Sequence, residues 1–256
     1  MLTKEELRTY EKIVGFNLWQ IEKDYLQHLV LLFLYSRIKN ELVFKGGTAL
    51  QKAFGLNRFS IDLDFSSSSN NSEKVFEKVV EDITNFGFPS QISKIEKAKT
   101  EAKTIILKIQ GPLYERNEIT ITTLRAEISL RKDLVLEPIV KEVVPPYADL
   151  RPYFINLMDL KEILAEKVRA LMWRGKARDL YDLWFLLRKN VVLDIDLINK
   201  KLEYYNLKFN REEFFQKLKA IEKIWEEELK PLVNVLPSFK VVEKDVIEKF
   251  KESDKK

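Results

Sequence analysis

Along the first part of the chain the spacing of apolar residues changes twice, and each change marks an element. Leu26, Leu29, Val30, Leu32, Phe33 and Leu34 leave almost no polar face, so this stretch reads as a helix buried on every side, the second of two helices in residues 1 to about 40. Glu41, Leu42, Val43 and Phe44 then read as a short buried strand, Gly46 and Gly47 as a tight turn, and Thr48 as the cap of a helix running through Phe54. From Ser60 to Phe65 the period becomes two: Ile61, Leu63 and Phe65 point inward, and Asp62 and Asp64 share the opposite face. A polar loop, Ser66 to Ser72, leads to a helix near Glu73 to Asn85. Strands follow near Thr104 to Gln110, Ile119 to Arg131 and Ile139 to Val144, the last stopped by Pro145 and Pro146. Beyond Asp149 the pattern is helical nearly to the end, with the helical period clearest around Glu162 to Leu187 and Glu212 to Leu229.

Composition narrows the chemistry. With 256 residues and 45% hydrophobic content, the chain can build one large domain or two modest ones around a buried core. It has no cysteine and a single histidine, His28, which excludes disulfides and thiolate metal sites and disfavours histidine-based centres. Hard oxygen ligands remain. Thr3, Lys4, Glu5 and Glu6 open a charged helix rather than a secretory leader, and no apolar run approaches the ~20 residues of a bilayer span, so the expected location is the cytoplasm, away from membranes. A net charge of +4 is too small to establish nucleic-acid binding. One stretch departs from this balance: Lys167, Arg169, Arg174, Lys176, Arg178 and Arg188 face only Asp179 and Asp182. A continuous helix would align Arg174, Arg178 and Asp182 on one ridge; an ordinary amphipathic helix with internal ion pairs is the other reading.

The candidate chemistry lies between Phe44 and Phe65. Alone, a Gly-Gly pair is a turn and Asp-x-Asp is a solvated strand face. Joined in one strand, turn, helix and strand unit, each part has its own role. The glycines let backbone amides approach an anion, and two neighbouring carboxylates repel unless a divalent cation lies between them. Mg²⁺ is held by one or two carboxylates plus substrate phosphates, so the unit points to metal-dependent nucleotidyl transfer.

Gly46, Gly47 and Thr48, followed by Arg58, Phe59, Ser60, Asp62 and Asp64, resemble the AbiEii-type nucleotidyltransferases, toxin components of abortive-infection and type IV toxin–antitoxin systems. Glu22, Lys23, Asp24 and Tyr25 resemble that family's leading helix. The run Glu166 to Leu171, with Arg174, Arg178, Asp179, Tyr181, Asp182 and Leu183, resembles its second signature. The resemblance spans residues from roughly 20 to 190 and implies an α+β fold. A polymerase-β-like nucleotidyltransferase mixed sheet with flanking helices would occupy residues 1–148, N-terminal helices included, and a C-terminal helical bundle, 149–256, would complete the active-site cleft.

The same resemblance implies an NTP substrate on Gly46, Gly47 and Thr48, with Lys45, Arg58 and Ser60 beside it, and a two-metal Mg²⁺ site on Asp62 and Asp64. Lys167 would add charge at the phosphates. One of Asp182 and Asp179 would belong to the site, orienting Lys167 or Arg178, or simply paired with Arg178. Polymerase-β-like enzymes take a third acid from a neighbouring strand. Glu127 is the candidate, alternating with Leu124, Ala126, Ile128 and Leu130; Glu137 is a less well placed substitute, and a cross-strand ion pair or an exposed strand face is the other reading of Glu127. Arg174 and Arg178 are assigned to acceptor RNA. Many of these enzymes carry Gly-Ser where this chain has Gly-Gly-Thr, a change that keeps the hydroxyl. The implied activity is transfer of NMP to RNA, at the 3′ end of tRNA, by a toxin whose partner is a cognate antitoxin encoded nearby. A nucleotide-binding regulatory module without turnover, and NMP transfer to protein, share these motifs and stay open.

Overall fold

The computed structural model describes residues 1–67, 72–98 and 102–252. They fall into two compact units. Met1–Gly55, Phe59–Leu134 and Pro138–Leu157 form a sheet-bearing unit; Leu56–Arg58, Val135–Glu137 and Met158–Lys256 form a helical one.

The sheet-bearing unit opens with α1 (Lys4–Thr9), α2 (Glu11–Val14) and α3 (Leu18–Arg37), followed by β1 (Leu42–Lys45), α4 (Gly46–Phe54), β2 (Leu63–Ser67) and α5 (Ser72–Phe86). Then come β3 (Ser90–Ala98), β4 (Ala102–Ile109), β5 (Thr122–Ser129), β6 (Ile139–Val143) and β7 (Tyr153–Leu157). The strands make one mixed sheet in the order β3-β4-β5-β2-β1-β7-β6. Strand β2 lies inside it, antiparallel to β1 and parallel to β5. Helix α3 starts where Asn17 and Gln20 form a capping box, and Leu26, Leu29, Val30 and Leu34 on it are fully buried, as the unbroken apolar run predicts. On β2, Phe65 lies 5.2 Å from Phe44 and 6.3 Å from Phe76 of α5, so one face of the strand is core and the alternate position, Asp64, turns to the other face.

The structure departs from the sequence expectations at several places in this unit. Helix α4 begins at Gly46 with Lys45 at its cap, so Thr48 is a residue of its first turn and not its cap. Strand β2 begins only at Leu63, and Ile61, expected to face inward, is exposed. Of the expected loop Ser66 to Ser72, Ser66 and Ser67 belong to β2 and Ser72 opens α5, while 68–71 lie outside the described residues. Two strands are additional. In β3, a sheet edge, only Ile92 and Ile95 are strongly apolar, and Lys94 and Lys97 stand among them, so the strand signal is diluted by the charges that protect an edge. Strand β7 lies in the region read as helical; it is five residues long, follows Pro152, and pairs in parallel with β1.

The helical unit holds α6 (Leu160–Trp173), α7 (Ala177–Arg188), α8 (Ile195–Glu203), α9 (Arg211–Ala220), α10 (Glu222–Leu229) and α11 (Phe239–Glu252). Asp159 caps α6 by accepting from the Lys161 amide. The periodic stretch Glu162 to Leu187 is two helices, because Gly175 takes a left-handed φ of +58° between them. Glu212 to Leu229 is likewise divided, between α9 and α10. Phe214 packs 4.6 Å from Phe250, and Trp225 packs 5.8 Å from Phe239, which ties α9, α10 and α11 together. Among the described residues no helix is long and apolar enough to cross a membrane.

Candidate active site

In the sheet-bearing unit the glycine turn and the carboxylate strand are adjacent by register, with Lys45 opposite Asp64 across β1 and β2. Gly46 has a left-handed φ of +75°, and a Cβ there would come 2.5 Å from Asp64 Oδ2. The Asp64 carboxylate is therefore seated where any other residue's side chain would begin, which is the physical reason for glycine at this position. Gly47 is a buried residue of the first turn of α4. The cap residue, Lys45, makes no side-chain hydrogen bond to the leading amides of this helix, whose dipole favours an anion there. The buried Thr48 hydroxyl hydrogen-bonds the Asp62 carbonyl oxygen and lies 2.8 Å from Ser60 Oγ. It fastens the chain just before the carboxylate strand. Asp62 and Asp64 are both half-buried, and the field of Asp62 partly offsets the lowering of the Lys23 ammonium pKa by burial.

Glu127 is the register partner of Asp64 on β5. Its exposed carboxylate, however, takes a 3.1 Å hydrogen bond from Arg125 Nη2, and among the described residues no three acidic or histidine side chains are gathered to hold a metal. The expected three-carboxylate set is thus not assembled: Glu127 shares the strand level of Asp64 but is drawn along its own strand to Arg125. Two carboxylates with uncapped helix amides beside them still fit Mg²⁺, which prefers oxygen donors and leaves positions for substrate phosphates.

In the helical unit five charged side chains form one network, buried except at Arg174. Lys167 Nζ lies 3.0 Å from Asp179 Oδ1 and 2.7 Å from Asp182 Oδ2. Arg58 grips Asp182 with two bonds of 2.9 Å, from Nε and Nη2. Arg174 grips Asp179 in the same forked way, at 2.8 and 3.0 Å. Burial alone would drive charge off Lys167, yet Asp182 and Asp179 outweigh it and hold its pKa above the ordinary lysine value. Burial likewise disfavours the Asp179 carboxylate, but Lys167 and then Arg174 hold its pKa well below the usual carboxylate range.

These pairings differ from the expected ones. Asp179 and Asp182 both pair with Lys167, where one of them was expected to orient it. Asp182 pairs with Arg58 and not with Arg178. Arg58, expected beside the NTP, is buried with its guanidinium committed to Asp182. Arg174, expected on RNA, is half-exposed but held by Asp179. It does not share a ridge with Arg178 and Asp182, because the helix breaks at Gly175.

Sequence reasoning missed the side chains that hold the loop before Asp62. Gln51 Oε1 accepts from the Ser60 amide at 2.9 Å, and Gln51 Nε2 donates to Asp24 at 2.7 Å. Gln27 reaches the same loop from α3. The available signal was a polar residue inside an apolar helix, at Asp24 and again at Gln27.

A family model described as "Nucleotidyl transferase AbiEii toxin, Type IV TA system" matches residues 31–252. An uncharacterized protein of Aquifex aeolicus, aq_aa25, is 28% identical over 207 residues, covering 74% of this chain and 84% of that protein. Among solved structures, the nucleotidyltransferase toxin MenT4 of Mycobacterium tuberculosis superposes with a TM-score of 0.71 at 20% identity, covering 98% of this chain and 89% of that one. JHP933 of Helicobacter pylori gives 0.58 at 20% identity, covering 94% and 97%. These two likenesses show a shared fold, an α+β nucleotidyltransferase architecture. With the matched family model spanning most of its length and both signatures, the chain belongs to the AbiEii nucleotidyltransferase toxins of type IV toxin–antitoxin systems.

Proposed function

We propose that this nucleotidyltransferase moves NMP from an NTP to the 3′ end of an RNA acceptor, a tRNA, as the toxin of a pair restrained by a cognate antitoxin in the cytoplasm. The observation that carries the reading is Asp64 seated against Gly46 at the uncapped start of α4. Triphosphate oxygens bind the Gly46 and Gly47 amides, where backbone donors and the helix dipole favour negative charge. Asp62 and Asp64 would hold Mg²⁺, which when bound supplies charge neutralisation at the leaving pyrophosphate and a lowered pKa for the attacking hydroxyl. In the reaction that hydroxyl gives its proton to solvent water, its oxygen bonds to the α-phosphorus, and the bond from that phosphorus to the departing pyrophosphate breaks. Thr48 and Ser60 hold the loop that presents Asp62. Lys167 is the helical unit's candidate for charge stabilisation, kept cationic by Asp182 and Asp179.

Incubation with each α-labelled NTP, Mg²⁺, total tRNA and cellular protein tests the acceptor. Label in tRNA that is lost on trimming the 3′ end supports the reading. Label only in protein replaces the acceptor, and no label anywhere rejects transfer.

A further inference from the structure

The Asp62 carboxylate sits at the end of a segment that is not itself a strand. Residues 60–62 make no ladder bonds, yet their backbone groups are taken up by side chains from two helices. Gln27 is fully buried on α3, and its Nε2 donates to the Ser60 and Ile61 carbonyl oxygens, both at 2.9 Å. Its Oε1 has no hydrogen-bond partner among the described residues, so the amide is placed for its two N–H groups alone. From the other side, α4 supplies Thr48 to the Asp62 carbonyl and Gln51 to the Ser60 amide.

We infer that Gln27 is a positioning residue for Asp62, fixing the two peptide units that precede it so that the carboxylate meets the metal and the phosphates in one place. Two adjacent carbonyls facing one side chain need two parallel donors without charge, which a primary amide provides and a carboxylate or alkyl group does not. A carboxylate one residue beyond a pinned peptide has only its own side-chain torsions left to vary. A misplacement of ~1 Å in a reacting constellation costs on the order of 100-fold in rate, and loss of partners behind a metal ligand weakens metal affinity by ~10-fold or more. The inference rests on the proposed nucleotidyl transfer at this site and adds a residue outside both signatures.

The test uses the full chain with Gln27→Met, which keeps the length of the side chain and removes both donors, and Thr48→Val, which releases the Asp62 carbonyl from the α4 side. For each, kcat and KM for NTP are measured with the RNA acceptor, Mn²⁺ binding to the protein is titrated by electron paramagnetic resonance, and the folded fraction is set by circular dichroism. The expected result is kcat lower by ~100-fold with KM within about threefold, because the amides of α4 are untouched, and Mn²⁺ affinity weaker by ~10-fold. Both variants folded, with kcat and Mn²⁺ affinity within about twofold of wild type, overturn the inference. So does a fall in kcat no larger than the fall in folded protein. If Gln27→Met does not fold, Gln27→Leu, which also removes both donors, carries the same split, and its absence there overturns the inference equally. A wild-type protein that adds nothing to RNA rejects the acceptor reading instead, and the Mn²⁺ titration still decides the role of Gln27.

Discussion

Replacing Lys167 with methionine removes the cation between two carboxylates that have no solvent exposure. Breaking a buried ion pair from one side costs ~3–5 kcal/mol, because an uncompensated charge stays behind. Here each carboxylate keeps an arginine, Asp182 with Arg58 and Asp179 with Arg174, so the low end applies and ~3 kcal/mol is expected. At roughly 2–4 °C per kcal/mol for a chain of this size, the melting temperature should fall by ~6–12 °C. The sign with pH follows from Asp179. Its pKa is held below the unfolded value, so its contribution is present at neutral pH and is lost as pH falls through the folded value. The gap between wild type and Lys167→Met should therefore be widest near neutrality and narrow below about pH 4. Differential scanning calorimetry across that range reads both effects. A variant that melts within about 2 °C of wild type at neutral pH would refute the argument that Lys167 carries the charge of this cluster.

Other consequences are separate. Gly46→Ala should cost ~1–2 kcal/mol for the left-handed backbone and, by displacing Asp64, reduce transfer ~100-fold; chemical denaturation and initial rates check the two effects. His28 is buried and held neutral, its pKa pushed down to about 3 by burial and by Lys52, against a smaller opposite pull from Asp24. Between its unfolded value of 6.5 and about 3 the unfolded chain binds the extra proton, so this residue should lower stability on acidification by roughly 2 kcal/mol from pH 6.5 to about pH 5, a slope that His28→Phe removes in urea melts. Arg178 makes no ion pair among the described residues whereas Arg174 is held by Asp179. Arg178→Ala should lower the salt slope of tRNA binding by about one unit, and Arg174→Ala should reduce stability first.

What the sequence made legible was local in origin. The glycine turn, the Asp-x-Asp alternation and the all-apolar α3 each depend on neighbours within a few positions, and so does the alternation that buries Leu124, Ala126 and Ile128 on β5. The family signatures added the fold. What it hid was either short or distant. Strand β7 has too few residues for a period to emerge and is specified by its place beside β1. The division between α6 and α7 turns on one backbone angle at Gly175. Arg58 and Asp182 are 124 positions apart, so no local spacing announces that this arginine pairs with a buried acid. Glu127 shows the opposite limit: its register beside Asp64 was readable as an isolated acid on an alternating strand, but its rotation toward Arg125 was not.

The central claim is that Asp62 and Asp64 are the carboxylates of a metal-dependent transfer and not ordinary structural acids. The most direct measurement is transfer from α-labelled NTP to tRNA by wild type, Asp62→Asn and Asp64→Asn at matched folded concentration, with Mg²⁺ varied and then removed by chelation. The account predicts Mg²⁺-dependent labelling by wild type, a loss of at least ~100-fold in each variant, and melting temperatures at or slightly above wild type, because two neighbouring carboxylates repel without a cation. Undiminished labelling by both variants, or a loss of activity that only tracks a loss of folded protein, would contradict it.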